Sequence, residues 1–146
     1  MTDEQWIDLA RCAVACEGWR WMPGMLALET NPEEYPGRVI DDRKSLVYED
    51  GDGAIHEGVA TRSDVPDFRD PATLGCLLAL VREAAEPERA PGDWPLACTY
   101  QNAAKKWGVG AWLNESGKAT FAALVLPTYP TEAAALVAAL GTSEKW

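Results

Sequence analysis

Residues 119–126 carry a single polar side chain, Thr120. An extended segment of that length with no polar face has to be covered on both sides, as happens when helices pack against each face of a sheet. The run therefore argues for a layered domain containing both helices and strands. At 146 residues the chain has the length of one domain, 1–146, with enough side chains to bury a core of its own. An apolar share of 47% and a charged share of 25% are those of a chain that folds.

Three helices are predicted. Over residues 3–16, Trp6, Leu9, Ala13 and Cys16 follow the three-and-four spacing, Ile7, Ala10 and Val14 widen the stripe, and Asp3 and Glu4 suit the positive end. Gly18 is expected to end that helix. Over 71–86, Asp70 offers an N-cap oxygen, Pro71 takes the first helical position, and Leu74, Leu77, Leu78 and Val81 form one face. Gly75 costs this helix about 1 kcal/mol relative to Ala, which suggests close packing against another element. Thr131 caps a third helix over 132–140, marked at its end by Gly141.

Between the helices, residues 38–41, 45–49 and 54–60 read as short strands of an antiparallel meander. Asp50-Gly51-Asp52-Gly53 is the turn between the last two. Residues 64–71 read as a loop, 87–95 as a linker with three prolines, 99–106 as a short helix or irregular approach, and 107–113 as a strand. Together these pieces predict the α+β class, a single layered domain with a small antiparallel sheet packed by about three helices.

The net charge of −10 argues against duplex nucleic acid or an anionic membrane as partner. No apolar run approaches the length of about 18–20 residues that a membrane span requires. The four cysteines lie in apolar or small-residue surroundings and no charged-then-apolar leader opens the chain, so a reduced, cytoplasmic protein is expected. Cys12 and Cys16 lack the second ligand pair of a zinc site, and Asp50-Gly51-Asp52-Gly53 lacks the closing Glu of a calcium loop, so no metal is expected. The sequence contains no phosphate-binding P-loop and no nucleophile elbow. The single histidine, His56, sits in a predicted strand beside Glu57, which points to the opposite face, and reads as a solvated strand residue.

Seven tryptophans are far above ordinary usage. Core packing is the expectation for Trp6, Trp107 and Trp112. Residues 19–25, Trp19-Arg20-Trp21-Met22-Pro23-Gly24-Met25, put two indoles, two thioethers and a cation where Pro23 and Gly24 prevent a regular helix. Such a segment either pins a loop to the core or lines a pocket. Two rings one residue apart are expected to diverge, which leaves one of them available to a ligand.

Three stretches carry a family resemblance: residues 19–25, Pro66-Asp67-Phe68 leading into the helix that Asp70-Pro71 opens, and the closing Thr131-Glu132-Ala133 helix. Through them the chain resembles a group of uncharacterised proteins encoded by bacteriophages and prophages, and more distantly is similar to the small phage α-β-α sandwich domain. The resemblance implies a phage accessory protein acting in the host cytoplasm and carries over no catalytic residues. With the aromatic excess, it leads to the expectation of a noncatalytic protein that binds and sequesters a small nucleotide-derived ligand, such as a host defence signal. Trp19, Arg20, Trp21, Met22, Met25 and Arg38 are its expected ligand-binding residues, with no cofactor. The alternative is an acidic nucleic-acid mimic that inhibits a basic host defence protein. A homo-oligomer is compatible with either.

Overall fold

The computed structural model describes residues 1–28, 35–61, 63–85, 97–115, 118–123 and 128–142. It has the expected α+β class, with three helices and wholly antiparallel strand pairing among the described residues. The strands form two sheets, and the chain divides into two compact units: residues 1–15 with 19–76, and residues 16–18 with 77–146.

In the first unit, helix α1 (Asp3–Val14) starts from a capping box in which the Thr2 hydroxyl accepts the Gln5 amide and the Gln5 side chain accepts the Thr2 amide. Ala10 and Ala13 are its buried positions, while Trp6, Ile7 and Leu9 are half-buried. It ends at Val14, ahead of Gly18. Strands β1 (Leu26–Leu28), β2 (Gly37–Val39), β3 (Ser45–Glu49), β4 (Ile55–Val59) and β5 (Val65–Pro66) make a sheet of order β4-β3-β2-β1-β5. The meander of β2, β3 and β4 is the expected one. β5 extends it from the segment read as loop and β1 from one assigned to no element, because Ala27 and Leu28 find partners in Pro66 and Val65.

The β3–β4 turn is closed by Asp50, whose Oδ1 accepts the amides of Asp52 and Ala54 while Gly53 takes a φ of +80°. Asp41 closes the β2–β3 turn in the same way, accepting the amides of Arg43 and Ser45. Each of these two turns thus rests on one carboxylate that accepts two backbone amides.

Helix α2 (Pro71–Ala85) crosses the boundary between the units, with Leu77, Leu80 and Val81 buried. Asp70 caps it as expected, accepting the Thr73 amide at 2.8 Å. Gly75 does not meet the expectation of close packing: it is exposed, and a Cβ built there has nothing within 4 Å. Its residue type therefore only weakens the helix. Gly75→Ala is expected to stabilise the protein by about 0.5–1 kcal/mol, seen as a rise of a few degrees in Tm.

In the second unit, β6 (Cys98–Gln101), β7 (Trp107–Glu115) and β8 (Lys118–Ala123) lie in the order β6-β7-β8. Residues 98–101 are a strand, not the helix or irregular approach read over 99–106. Thr99 and Tyr100 suit a pleated surface, and Asn102 turns the chain back by accepting the Ala104 and Lys106 amides. Tyr100 lies across Gly108 on the paired strand, where a Cβ would sit 2.5 Å from the ring. Helix α3 (Glu132–Thr142) starts at Thr131, whose hydroxyl accepts the Ala134 amide, and packs on β6 and β7, with Leu136 and Leu140 among its buried positions. It continues through Gly141 instead of ending there. The linker at 87–95, residues 116–117 and the run 124–126 lie outside the described residues, as does the side chain of Trp112.

Candidate functional site

Residues 19–25 pin a loop to the core of the first unit. Gly24, at φ +98°, donates its amide to the Val39 carbonyl, and the Val39 amide returns a bond to Met25. Trp21 is 6% exposed and Met25 fully buried. Trp19 is half-buried and meets both Trp21 and Phe68 edge to face, with ring centroids 5.8 and 6.3 Å away. The expectation that these indoles diverge is corrected here. The backbone there is not helical, so the helical rotation that would set residues i and i+2 on opposite sides does not apply. Met22 is half-buried with its amide against the Met25 sulfur at 3.4 Å, and Arg20 is exposed.

Arg38 is exposed but engaged. Its guanidinium donates to both oxygens of Asp70, at 3.1 and 3.3 Å, and to the Gly24 carbonyl at 2.5 Å. The Asp70 carboxyl is held down to about 2, first by Arg38 and against the opposing effect of burial, with further help from the amide and hydroxyl of Thr73. Arg38 is thereby a structural cation.

A roomier concave site of this unit lies elsewhere. An open cavity of about 460 Å³ is lined by Ala27, Tyr35, Gly37, Leu46, Tyr48, Asp50, His56, Gly58, Val59 and Asp64. Strand register explains its location. Ala27 pairs with Gly37, Leu46 with both Val39 and Gly58, and Tyr48 with His56, so these side chains share one face of the sheet. Gly37 and Gly58 leave that face bare beside Leu46 and Tyr48: a Cβ on Gly37 would touch the Leu46 side chain and one on Gly58 the Tyr48 ring. Arg38 pairs with Val47 and so occupies the opposite face. None of Trp19, Arg20, Trp21, Met22, Met25 and Arg38 lines the cavity.

The Tyr48 and His56 rings stack, with centroids 5.3 Å apart and planes 18° from parallel. His56 Nε2 is 2.6 Å from Asp50 Oδ2, so a single carboxylate both closes the hairpin turn and fixes the imidazole. The His56 bond, then the Ala54 amide, hold the Asp50 carboxyl below the usual range. Tyr35, 47% exposed, brings its hydroxyl to within 2.9 Å of where a Cβ on Gly51 would lie. On the loop after β4, Asp64 is 1% exposed; its Oδ2 accepts the Thr61 amide, and its Oδ1 has no hydrogen-bond partner among the described residues.

The assembly offers two stacked rings, a third ring at the rim, a glycine floor and two carboxyl groups. It suits recognition of a flat molecule with polar edges. Sequence reasoning passed over Tyr35, Tyr48 and Asp64 and left His56 as a solvated strand residue. The Asp50–Gly53 turn held a usable signal, since a hairpin closed there sets Tyr48 opposite His56. Among the described residues, no group of three or more His, Cys, Asp or Glu is arranged to hold a metal ion, and no helix is long and apolar enough to cross a membrane. Compared with known protein families, with curated proteins and with solved structures, the chain matches none.

Proposed function

We propose that this chain is a noncatalytic phage accessory protein that binds and sequesters a small, flat, nucleotide-derived ligand in the sheet-face cavity of its first unit. A host defence signal is the ligand class that a phage-borne sponge would take. The observation that carries the reading is the Tyr48–His56 stack at the wall of an opening of about 460 Å³. That volume is within the range of about 300–1,000 Å³ typical of small-molecule sites. A planar ring laid against such a stack gains about 1–3 kcal/mol per aromatic contact.

Thermal shift against a panel of nucleosides and nucleotide signals, with mass spectrometry of the protein as purified, tests the reading. At least one panel member is expected to raise Tm. Tyr48→Ala is expected to weaken its binding by about tenfold or more, while Trp19→Ala leaves the affinity unchanged wherever the fold is retained. A panel without a single shift, together with no retained small molecule, would overturn it.

A further inference from the structure

We infer that the cavity selects the amino-bearing edge of a planar heterocycle, with Asp64 accepting the ligand's N–H, and keeps any phosphate outside. This rests on the preceding reading that the cavity binds a flat ligand, and adds which edge of that ligand enters.

The first observation is the state of Asp64. It lines the cavity, is 1% exposed and leaves Oδ1 without a hydrogen-bond partner among the described residues. Buried polar atoms are nearly always paired, and leaving one unpaired costs about 1–3 kcal/mol. Among the described residues no side chain hydrogen-bonds that oxygen, so a donor arriving with the ligand is the natural partner. An exocyclic amine on a purine or pyrimidine supplies one, whereas a carbonyl edge would set acceptor against acceptor.

The second observation is the charge of the lining. Its ionisable residues include the carboxyl groups of Asp50 and Asp64, and no Lys or Arg is among the described lining residues. His56 already directs Nε2 to Asp50. A phosphate is recognised by guanidinium forks, ammonium groups or clustered backbone N–H groups. Inside this cavity it would instead face two carboxyl groups. The third is shape: the near-parallel Tyr48 and His56 rings form a flat wall, and Gly37 and Gly58 clear the floor. A ring with an amine on its edge fits both the wall and the acceptor.

Isothermal titration of the whole chain with three nucleoside pairs differing at the amine tests this: adenosine against purine riboside, cytidine against uridine, guanosine against inosine. In the pair that binds best, the amino member is expected to bind at least about tenfold more tightly, the equivalent of one buried hydrogen bond left unmade. Its 5′-monophosphate should bind no more tightly than the nucleoside. Asp64→Asn, which presents an amide N–H₂ in place of one oxygen, should erase the preference. Equal affinities within a pair that binds, or a monophosphate tighter by tenfold or more, would overturn the inference and leave flat-ligand binding standing. No binding by any nucleoside or nucleotide of the panel, together with no retained small molecule, would overturn both. The ligand pairs decide the matter even if Asp64→Asn does not fold.

Discussion

Thr73→Val is expected to lower the unfolding free energy by about 2–4 kcal/mol, although it exchanges one oxygen for a methyl group. Thr73 is fully buried, and its hydroxyl bonds twice: it accepts the Leu26 amide at 2.7 Å and donates to Asp70 Oδ2 at 2.8 Å. Asp70 in turn caps α2 and receives the Arg38 fork from β2. One side chain therefore ties the start of β1 to the start of α2, and through Asp70 to β2. Valine leaves the Leu26 amide without its acceptor, costing about 1–3 kcal/mol, and removes one donor from a carboxylate for about 1 kcal/mol more. Thr73→Ser keeps both bonds and should lose about 1 kcal/mol or less. Chemical denaturation of the three proteins at pH 7 measures the differences; a valine variant as stable as the serine variant would contradict the network.

The same network has a signed pH dependence. The Asp70 carboxyl ordinarily titrates near 3.8 and is lowered to about 2 in the folded chain. A depressed folded value means the ionised form favours folding. The contribution is complete above the unfolded value and disappears as pH falls from about 4 to about 2. Arg38 is 44% exposed, so solvent screens the pair and the contribution is about 1 kcal/mol, less than the full linkage for that displacement. The stability gap between the native chain and Asp70→Asn, in which asparagine still caps the helix, should close across that window.

How far the fold was legible follows from which signals are local. The Asp50 turn, the Asp70-Pro71 opening and the Thr131 cap are each written within a few residues, and α2, α3 and the β3–β4 hairpin appear where those signals put them. β1 and β5, of three and two residues, are too short for a period to emerge and exist because Ala27 and Leu28 meet partners nearly forty residues away. Gly75 misled for the opposite reason: a glycine within a helix can mark close approach, but here it faces open space. The site was harder still. Tyr48 and His56 share a strand pair, but Tyr35 and Asp64 come from separate loops, and only the folded sheet brings all four around one opening. Residue chemistry drew attention to the indoles. Strand register put the cavity on the other face from Arg38.

Met25→Ala separates the two roles that the 19–25 segment can play. A methionine lining a binding surface would lose affinity on truncation with little effect on folding. Met25 is instead fully buried, its carbonyl accepts the Val39 amide at 2.8 Å and its sulfur accepts the Met22 amide. Truncation removes the side chain beyond Cβ from a close-packed interior and leaves a cavity, so the expected loss is about 2–5 kcal/mol. Met25→Leu conserves volume and should cost less than about 1.5 kcal/mol, the weak sulfur bond included. Trp21, 6% exposed, stands in the same position: Trp21→Ala should cost about 3–5 kcal/mol. Because none of these side chains lines the cavity, variants that remain folded should bind a nucleoside with native affinity, whereas Tyr48→Ala loses affinity while changing stability far less. Denaturation midpoints and nucleoside affinities measured on the same preparations would show this as a crossing pattern. A Met25→Ala protein of native stability and reduced affinity would return the binding site to the tryptophan segment.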